Sequence, residues 1–115
     1  MRYTIYHNNR CRKSREALEV LTKSGKEFTI IEYLKNPPTT DELKILLKKL
    51  SLSPEQIIRK GETLFKERFK NKDLTKDQWI KVLSENPGLI ERPIIYNDEE
   101  AIVGRPIENV INFIK

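Results

Sequence analysis

The chain has 115 residues and a single cysteine, so it is long enough to bury a core of its own and cannot form an intramolecular disulfide. Its 22 basic and 17 acidic residues give a net charge of +5, but the two signs are interspersed over most of the chain, whereas nucleic-acid binders usually carry a basic stripe. Because no secretory segment and no apolar run of about 20 residues is present, we expect one cytoplasmic domain, residues 1–115, with no membrane partner and no direct nucleic-acid partner.

The first part of the chain predicts a βαβ unit. Residues 2–6, RYTIY, alternate and are rich in aromatic and β-branched types, which predicts a strand. Residues 14–24 carry apolar positions at helical spacing and stop at Gly25, which suits a left-handed helix cap. Residues 28–33, FTIIEY, predict a second strand. A crossover of this kind is almost always right-handed and joins parallel strands.

The middle of the chain predicts a helical insertion, at about residues 39–88. Three helix starts with capping residues occur in it, at Thr39, at Ser53 and at Thr75. The first and third lead into clear amphipathic patterns, and the sequence ENPG ends the last of them.

The last part of the chain predicts a hairpin and a helix. Residues 92–104 contain two short apolar runs around an acidic polar turn, which favours a β-hairpin. Pro106 then opens a helix whose predicted buried face consists of Ile107, Val110, Ile111 and Ile114. The order βαβ, helices, ββα predicts an α/β fold of the thioredoxin-like class. We expect a mixed four-stranded sheet flanked by helices, with the helical insertion between its two halves.

The loop after the first predicted strand contains Cys11, which lies in YHNNRCRKSREAL together with the only histidine, His7. A free cysteine has a pKa near 8.5, and only its thiolate is nucleophilic. A helix start, hydrogen-bond donors such as the Ser14 hydroxyl, and nearby cations all lower that pKa. We therefore predict that Cys11 is a nucleophile for an oxyanion. The nearby cations are Arg10, Arg12, Lys13 and Arg15.

Other interpretations of this loop stay open. A lone cysteine is more commonly a small buried apolar residue, although the polar stretch NNRCRKS does not favour that role. His7 either acts on the thiolate, orients the loop or satisfies a backbone carbonyl at the strand end. Because Ser14 stands where a C-x-x-C motif has its second cysteine, release of an adduct on Cys11 requires a low-molecular-weight thiol or a redox partner protein.

Five stretches together resemble the glutaredoxin-coupled arsenate reductase family: YHNNRCRKSREAL, IIEYLKNPPTTDEL, IIRKGE, ERPII and GRPIENV. The resemblance implies a thioredoxin-like fold with a helical insert, with Cys11 as the nucleophile. It also implies that three arginines bind the arsenate oxyanion, and these correspond to Arg59, Arg92 and Arg105. Guanidinium groups suit that role because they bind tetrahedral oxyanions bidentately and stay charged. Pro93 resembles the cis-proline that faces the active cysteine in this fold.

The resemblance further implies catalytic roles for His7 and Ser14 and a substrate-binding role for Arg15. It implies reduction of arsenate to arsenite through an adduct on Cys11, which glutathione resolves and glutaredoxin recycles. The expected protein is a monomer with no bound cofactor and no metal. Two alternatives stay open because residues 12–13 depart from the family's small residues. One is a regulatory module of the related RNA-polymerase-binding transcription regulators, and the other is an oxidoreductase acting on glutathione mixed disulfides.

Overall fold

The computed structural model describes residues 2–115. None of its helices is long and apolar enough to cross a membrane. Two 3-10 turns, Pro54–Ile57 and Pro87–Leu89, supplement the regular elements. The strands and helices, in chain order, are β1 (Tyr3–Tyr6), α1 (Arg12–Ser24), β2 (Phe28–Ile31), α2 (Thr40–Leu50), α3 (Thr63–Arg68), α4 (Lys76–Glu85), β3 (Ile94–Tyr96), β4 (Ala101–Val103) and α5 (Ile107–Phe113).

The chain forms two compact units by its internal contacts. The sheet unit comprises the residues up to Asn36 together with Arg92–Lys115, and it contains all four strands, α1 and α5. The helical unit is Pro37–Glu91 and contains α2, α3 and α4. The helical unit includes the predicted insertion at residues 39–88. That the whole chain behaves as one domain stays a prediction.

A mixed four-stranded sheet organises the sheet unit. Its strand order is β2-β1-β3-β4. The pair β1 and β2 is parallel, whereas β3 is antiparallel to both β1 and β4. The central residue Ile5 pairs with Ile30 on one side and with Ile95 on the other. These features confirm the predicted α/β class, a mixed four-stranded sheet flanked by helices with a helical insertion between its halves.

The hydrophobic core of the sheet unit joins β1 and β3 to α1 and α5. Side chains alternate across a strand, so every second residue of β1 faces this core. Residues four apart on each helix face the same way and complete it. The packing holds α1 against the sheet, and this fixes both ends of the loop between β1 and α1. The buried cluster consists of Tyr3, Ile5, Ala17, Leu21, Ile95, Val110 and Ile114.

Several element boundaries differ from the prediction, and one of them matters for the chemistry. Helix α1 begins at Arg12 rather than at residue 14, which makes Cys11 its N-cap residue. Gly25 ends this helix in the left-handed conformation, with φ of 74°, as predicted. Strand β2 ends at Ile31 rather than at residue 33. Tyr33 therefore lies beyond the ladder, and its side chain is fully buried.

The predicted buried face of α5 is wrong at one position. Val110 and Ile114 are buried and Ile107 is partly buried against the core, whereas Ile111 is 42% exposed. A residue that directly follows Val110 lies about 100° around the helix axis from it. The seven-residue helix buries only a narrow stripe, so Ile111 falls on its flank.

The helical unit confirms two of the predicted helix starts and modifies the third. Thr39 and Thr75 each form a capping box, at the starts of α2 and α4. The start at Ser53 leads only into the 3-10 turn, because the turn ends at Ile58 in extended backbone. Helix α3 was not predicted, and its sequence TLFKER has no buried residue to produce an amphipathic pattern.

Gly104 provides a test of the packing between the β3–β4 hairpin and α5. A Cβ atom at this position would lie 2.8 Å from Val110 Cγ2 and 2.9 Å from Pro93 Cγ. We predict that Gly104→Ala lowers the free energy of unfolding by about 1–3 kcal/mol, as expected for overpacking. Urea denaturation measures this change. Gly61→Ala is the control, because a Cβ there meets nothing within 4 Å, and an equal loss in both variants would contradict the packing argument.

Candidate active site

Cys11 lies at the junction between the β1–α1 loop and the start of α1. Its backbone is extended, its N–H donates to the carbonyl of Asn8 at 2.9 Å, and its carbonyl accepts from the N–H of Arg15 at 3.0 Å. Its side chain is only 8% exposed. The first turn of α1 contains no acidic residue, so nothing there offsets the positive end of the helix dipole. The sulfur therefore occupies an electropositive position.

Two arginines from the far end of the chain contact this sulfur. Arg105 Nη2 donates to Cys11 Sγ at 3.6 Å, and the side chain of Arg92 also hydrogen-bonds to Cys11. Arg105 Nε donates to the backbone carbonyl of Arg92 at 2.6 Å, which links the two arginines to each other. The peptide bond between Arg92 and Pro93 is cis, and so is the bond between Arg105 and Pro106. The cis state of Pro93 agrees with the expectation from the sequence.

The register of the β3–β4 hairpin explains why these two arginines lie together. Ile94 pairs with Val103 in the antiparallel ladder. Arg92 is two residues before Ile94 and Arg105 two residues after Val103, so both lie at the same end of the hairpin. Because β3 also pairs with β1, that end of the hairpin reaches the loop that follows β1.

These contacts determine the ionisation of Cys11. Burial raises the pKa of the thiol, but the hydrogen bond from Arg92, its positive charge, and the backbone N–H groups of Ser14 and Lys13 outweigh burial. The pKa of Cys11 is therefore lowered from its ordinary value. Burial likewise lowers the pKa of Arg92, but Cys11 and Tyr33 raise it by more. The pair is thus stabilised as thiolate and guanidinium.

The side-chain charges of the loop cations are not among the causes that lower the pKa of Cys11. Arg12 is exposed and pairs with Glu16 at 3.4 Å, and Lys13 acts on the sulfur through its backbone N–H. The exposed Arg15 donates from Nη1 to the carbonyl of Asn9 at 3.0 Å, which braces the loop. The substrate-binding role of Arg15 stays a prediction.

His7 and Ser14 form a hydrogen-bonded network beneath the loop. His7 is buried, with Nδ1 at 2.7 Å from Ser14 Oγ and Nε2 at 3.4 Å from Asn9 Oδ1. The N–H of Asn8 donates to Ser14 Oγ at 3.0 Å. With the imidazole proton assigned to Nε2, His7 donates to Asn9 Oδ1, and the Ser14 hydroxyl donates to His7 Nδ1. The hydroxyl therefore bonds to His7, whereas the expected donation to Cys11 comes from the backbone N–H of Ser14.

Arg59 belongs to the helical unit, and its described contacts lie within that unit. Its N–H donates to the carbonyl of Leu89 at 2.7 Å. Its guanidinium Nη1 pairs with Glu62, and its Nε lies 3.4 Å from Glu91 Oε1. The role of Arg59 in oxyanion binding stays a prediction.

Sequence reasoning missed Tyr33. Its side chain is fully buried, its ring stacks on Tyr6 with centroids 6.0 Å apart, and it favours the charged form of Arg92. Tyr33 falls in the strand predicted at residues 28–33, where alternation gives no indication of a functional contact. Among residues 2–115, no group of three or more His, Cys, Asp or Glu is placed to hold a metal ion.

Comparisons with known proteins found matches over most of the chain. The model of the ArsC family matches residues 6–113. An arsenate reductase of Neisseria meningitidis serogroup A is 40% identical over 108 residues, which cover 92% of each chain. An arsenate reductase of Haemophilus influenzae is 38% identical and covers 99% of this chain and 100% of its own. The solved arsenate reductase of Vibrio cholerae has a TM-score of 0.92 and 38% identity, with 97% of each chain covered.

We predict that Cys11 ionises at a lower pH in the folded protein than in the same protein unfolded in urea. The rate of alkylation by iodoacetamide is proportional to the fraction of thiolate, so the midpoint of its pH–rate profile reports the pKa of Cys11. In Arg92→Gln this midpoint should move up toward the unfolded value, because Arg92 is the principal group that lowers the pKa. Mass spectrometry of quenched samples gives the rates.

Arg12→Gln is the matched control for this measurement. Arg12 adjoins Cys11 in sequence but is exposed and paired with Glu16, so its variant should keep the wild-type midpoint. Equal upward shifts in both variants would show that the general positive charge of the loop, rather than the Arg92 contact, ionises the thiol.

Proposed function

The chain belongs to the ArsC family, and from this we propose that it is an arsenate reductase with Cys11 as its nucleophile. The observation that carries the proposal is the contact of one buried sulfur with two guanidinium groups, from Arg92 and Arg105. A lowered thiol pKa provides the thiolate that attacks arsenic. The names of the relatives in Neisseria and Haemophilus support the same substrate.

The arginines supply the oxyanion site in this proposal. Guanidinium groups bind tetrahedral oxyanions through pairs of N–H donors and keep their charge as the thiolate approaches. Arg92 Nε is buried and has no hydrogen-bond partner among residues 2–115. A buried unpaired donor costs about 1–3 kcal/mol, and an oxyanion oxygen beside Cys11 would remove that cost. The free site is therefore prepared for an acceptor.

The proposed reaction has three steps. The Cys11 thiolate forms a sulfur–arsenic bond while an arsenate oxygen leaves as water, and arsenic stays pentavalent. An external thiolate then attacks Cys11 Sγ, forming a disulfide and breaking the sulfur–arsenic bond. The electron pair of that bond stays on arsenic, which leaves as arsenite. A second thiol reduces the disulfide, so one arsenate and two thiols give one arsenite, one disulfide and one water.

We assign the other loop residues supporting roles. The hydrogen bond between His7 and Ser14 holds the loop, so the backbone N–H of Ser14 keeps facing the sulfur. Arg15 braces the loop through its hydrogen bond to the carbonyl of Asn9, and we propose that its charge contributes to binding the substrate. We propose glutathione as the external thiol and glutaredoxin as the protein that recycles the disulfide. The protein then acts as a monomer in the reducing cytoplasm without a bound cofactor.

We predict that Cys11→Ser abolishes arsenite formation, because a hydroxyl neither ionises at neutral pH nor forms the adduct. Arsenite is measured by chromatography coupled to elemental mass spectrometry, with arsenate, glutathione and glutaredoxin present. Ser24→Ala, a change of an α1 residue outside the loop, should keep wild-type turnover. Undiminished turnover in Cys11→Ser would reject the mechanism. Faster turnover of a glutathionylated substrate than of arsenate by the wild type would favour the mixed-disulfide alternative.

The role of Arg59 rests on its match to the family's motif. We predict that Arg59→Gln raises the KM for arsenate about ten- to a hundredfold, the loss expected for one charge-assisted hydrogen-bonding partner. Arg2→Gln removes an exposed arginine outside the family motifs and should leave KM unchanged. A wild-type KM in Arg59→Gln would remove Arg59 from the substrate site.

A further inference from the structure

The reaction requires a second binding site besides the oxyanion site. Cys11 is the only cysteine in the chain, so an external thiol must approach its sulfur in every turnover. The groups on the sulfur, Arg92 and Arg105, are already committed to the oxyanion in the proposed function. The external thiol must therefore be held by other residues close to the loop.

A cavity of about 330 Å³ adjoins the loop within the sheet unit. It is lined by residues 7–10, which lead directly into Cys11, and by Glu32, Leu34 and Lys35, which follow β2. The cavity thus lies where the parallel strands β1 and β2 end, the edge at which α/β sheets commonly bind ligands. Its volume is in the range of small-ligand sites.

The cavity is close enough to Cys11 for a tripeptide to connect them. Successive Cα atoms are about 3.8 Å apart, so lining residues Asn9 and Arg10 begin within about 4–8 Å of the Cys11 Cα. An extended tripeptide spans about 10 Å. A thiol in the middle of such a molecule has the reach to attack Sγ while one end stays in the cavity.

The side chains that line the cavity carry both charges and amides. Arg10 and Lys35 provide cations for a carboxylate, and Glu32, which lies 3.6 Å from Lys35 Nζ, provides an anion for an ammonium group. Asn8 and Asn9 contribute amides that suit a peptide bond. Neither Cys11, Arg92 nor Arg105 lines the cavity, so it accepts a ligand while the oxyanion stays in place.

We propose that this cavity docks the thiol that releases Cys11, and that it selects a small thiol with carboxylate and amino groups, the chemistry of glutathione. The inference rests on the proposed function. In the step concerned, the docked thiolate forms a disulfide with Cys11 Sγ and the sulfur–arsenic bond breaks. Arsenic(V) takes the electron pair and becomes arsenic(III), so the docked thiol is the reductant.

Lys35→Glu tests the proposal, because Lys35 is exposed, with 74% of its side chain accessible, and lies outside the oxyanion site. We expect the KM for glutathione to rise about three- to tenfold, the size expected for reversing one exposed charge. The KM for arsenate and the rate with 2-mercaptoethanol, which has no charge, should stay at wild-type values. Arg10→Glu is the second variant and should shift the same parameter. Lys26→Glu is the control, since it makes the same charge change outside the cavity.

The outcomes separate the inference from the proposed function. If the wild type forms no arsenite with either thiol, the proposed function fails, and the inference falls with it. If the wild type is active but Lys35→Glu and Lys26→Glu raise the KM for glutathione equally, only the docking site is rejected. Equal losses of rate with glutathione and with 2-mercaptoethanol would also reject it, because selection by charge predicts that only the charged thiol is affected.

Discussion

The stability of a negative charge on a nearly buried sulfur is the constraint on which the site depends. Burial by itself favours the neutral thiol of Cys11, which would be chemically inert. The pKa of Cys11 is nevertheless lowered, because Arg92 and the N–H groups at the start of α1 outweigh the loss of solvent. Arg105 adds a second guanidinium contact at 3.6 Å. A buried charge is tolerated only when it is paired in this way. The Cys11 thiolate therefore depends on the cations that contact it.

The fold brings Cys11, Arg92 and Arg105 together from two distant parts of the sequence. The strand β1 and helix α1 fix the loop, because their buried faces pack into the same core. The hairpin β3–β4 then places Arg92 and Arg105 at one end of its ladder, and its pairing with β1 carries that end to Cys11. A one-residue slip of β3 against β1 would turn the side chains of β3 to the opposite face of the sheet and would displace this end of the hairpin from the loop. The precision of the site is therefore a property of strand pairing.

The sequence predicted the fold class, and three of the site residues that it singled out, Cys11, Arg92 and Arg105, lie together in the structure. It predicted less well how these groups act. Apolar periodicity and capping residues mark elements locally, which is why α2 and α4 were found at their correct starts. The role of Tyr33 depends on where β2 ends, and the partner of the Ser14 hydroxyl depends on the fold of the loop around His7. Both are tertiary properties. Proximity in sequence suggests that the loop cations act on the thiol, but Arg12 pairs with Glu16 and Arg15 donates to the loop backbone.

The unpaired Nε of Arg92 bears on how such a site distinguishes between anions. Guanidinium groups and a vacant donor recognise charge and tetrahedral shape, and phosphate shares both with arsenate. Affinity alone is therefore a poor basis for discrimination at Arg92 and Arg105. In the proposed reaction, selectivity then lies in the sulfur of Cys11: arsenic accepts a thiolate and afterwards two electrons, whereas phosphorus does not undergo this reduction. Phosphate at the same site would be a reversible occupant, and the cell's phosphate level would set how often the thiolate is available.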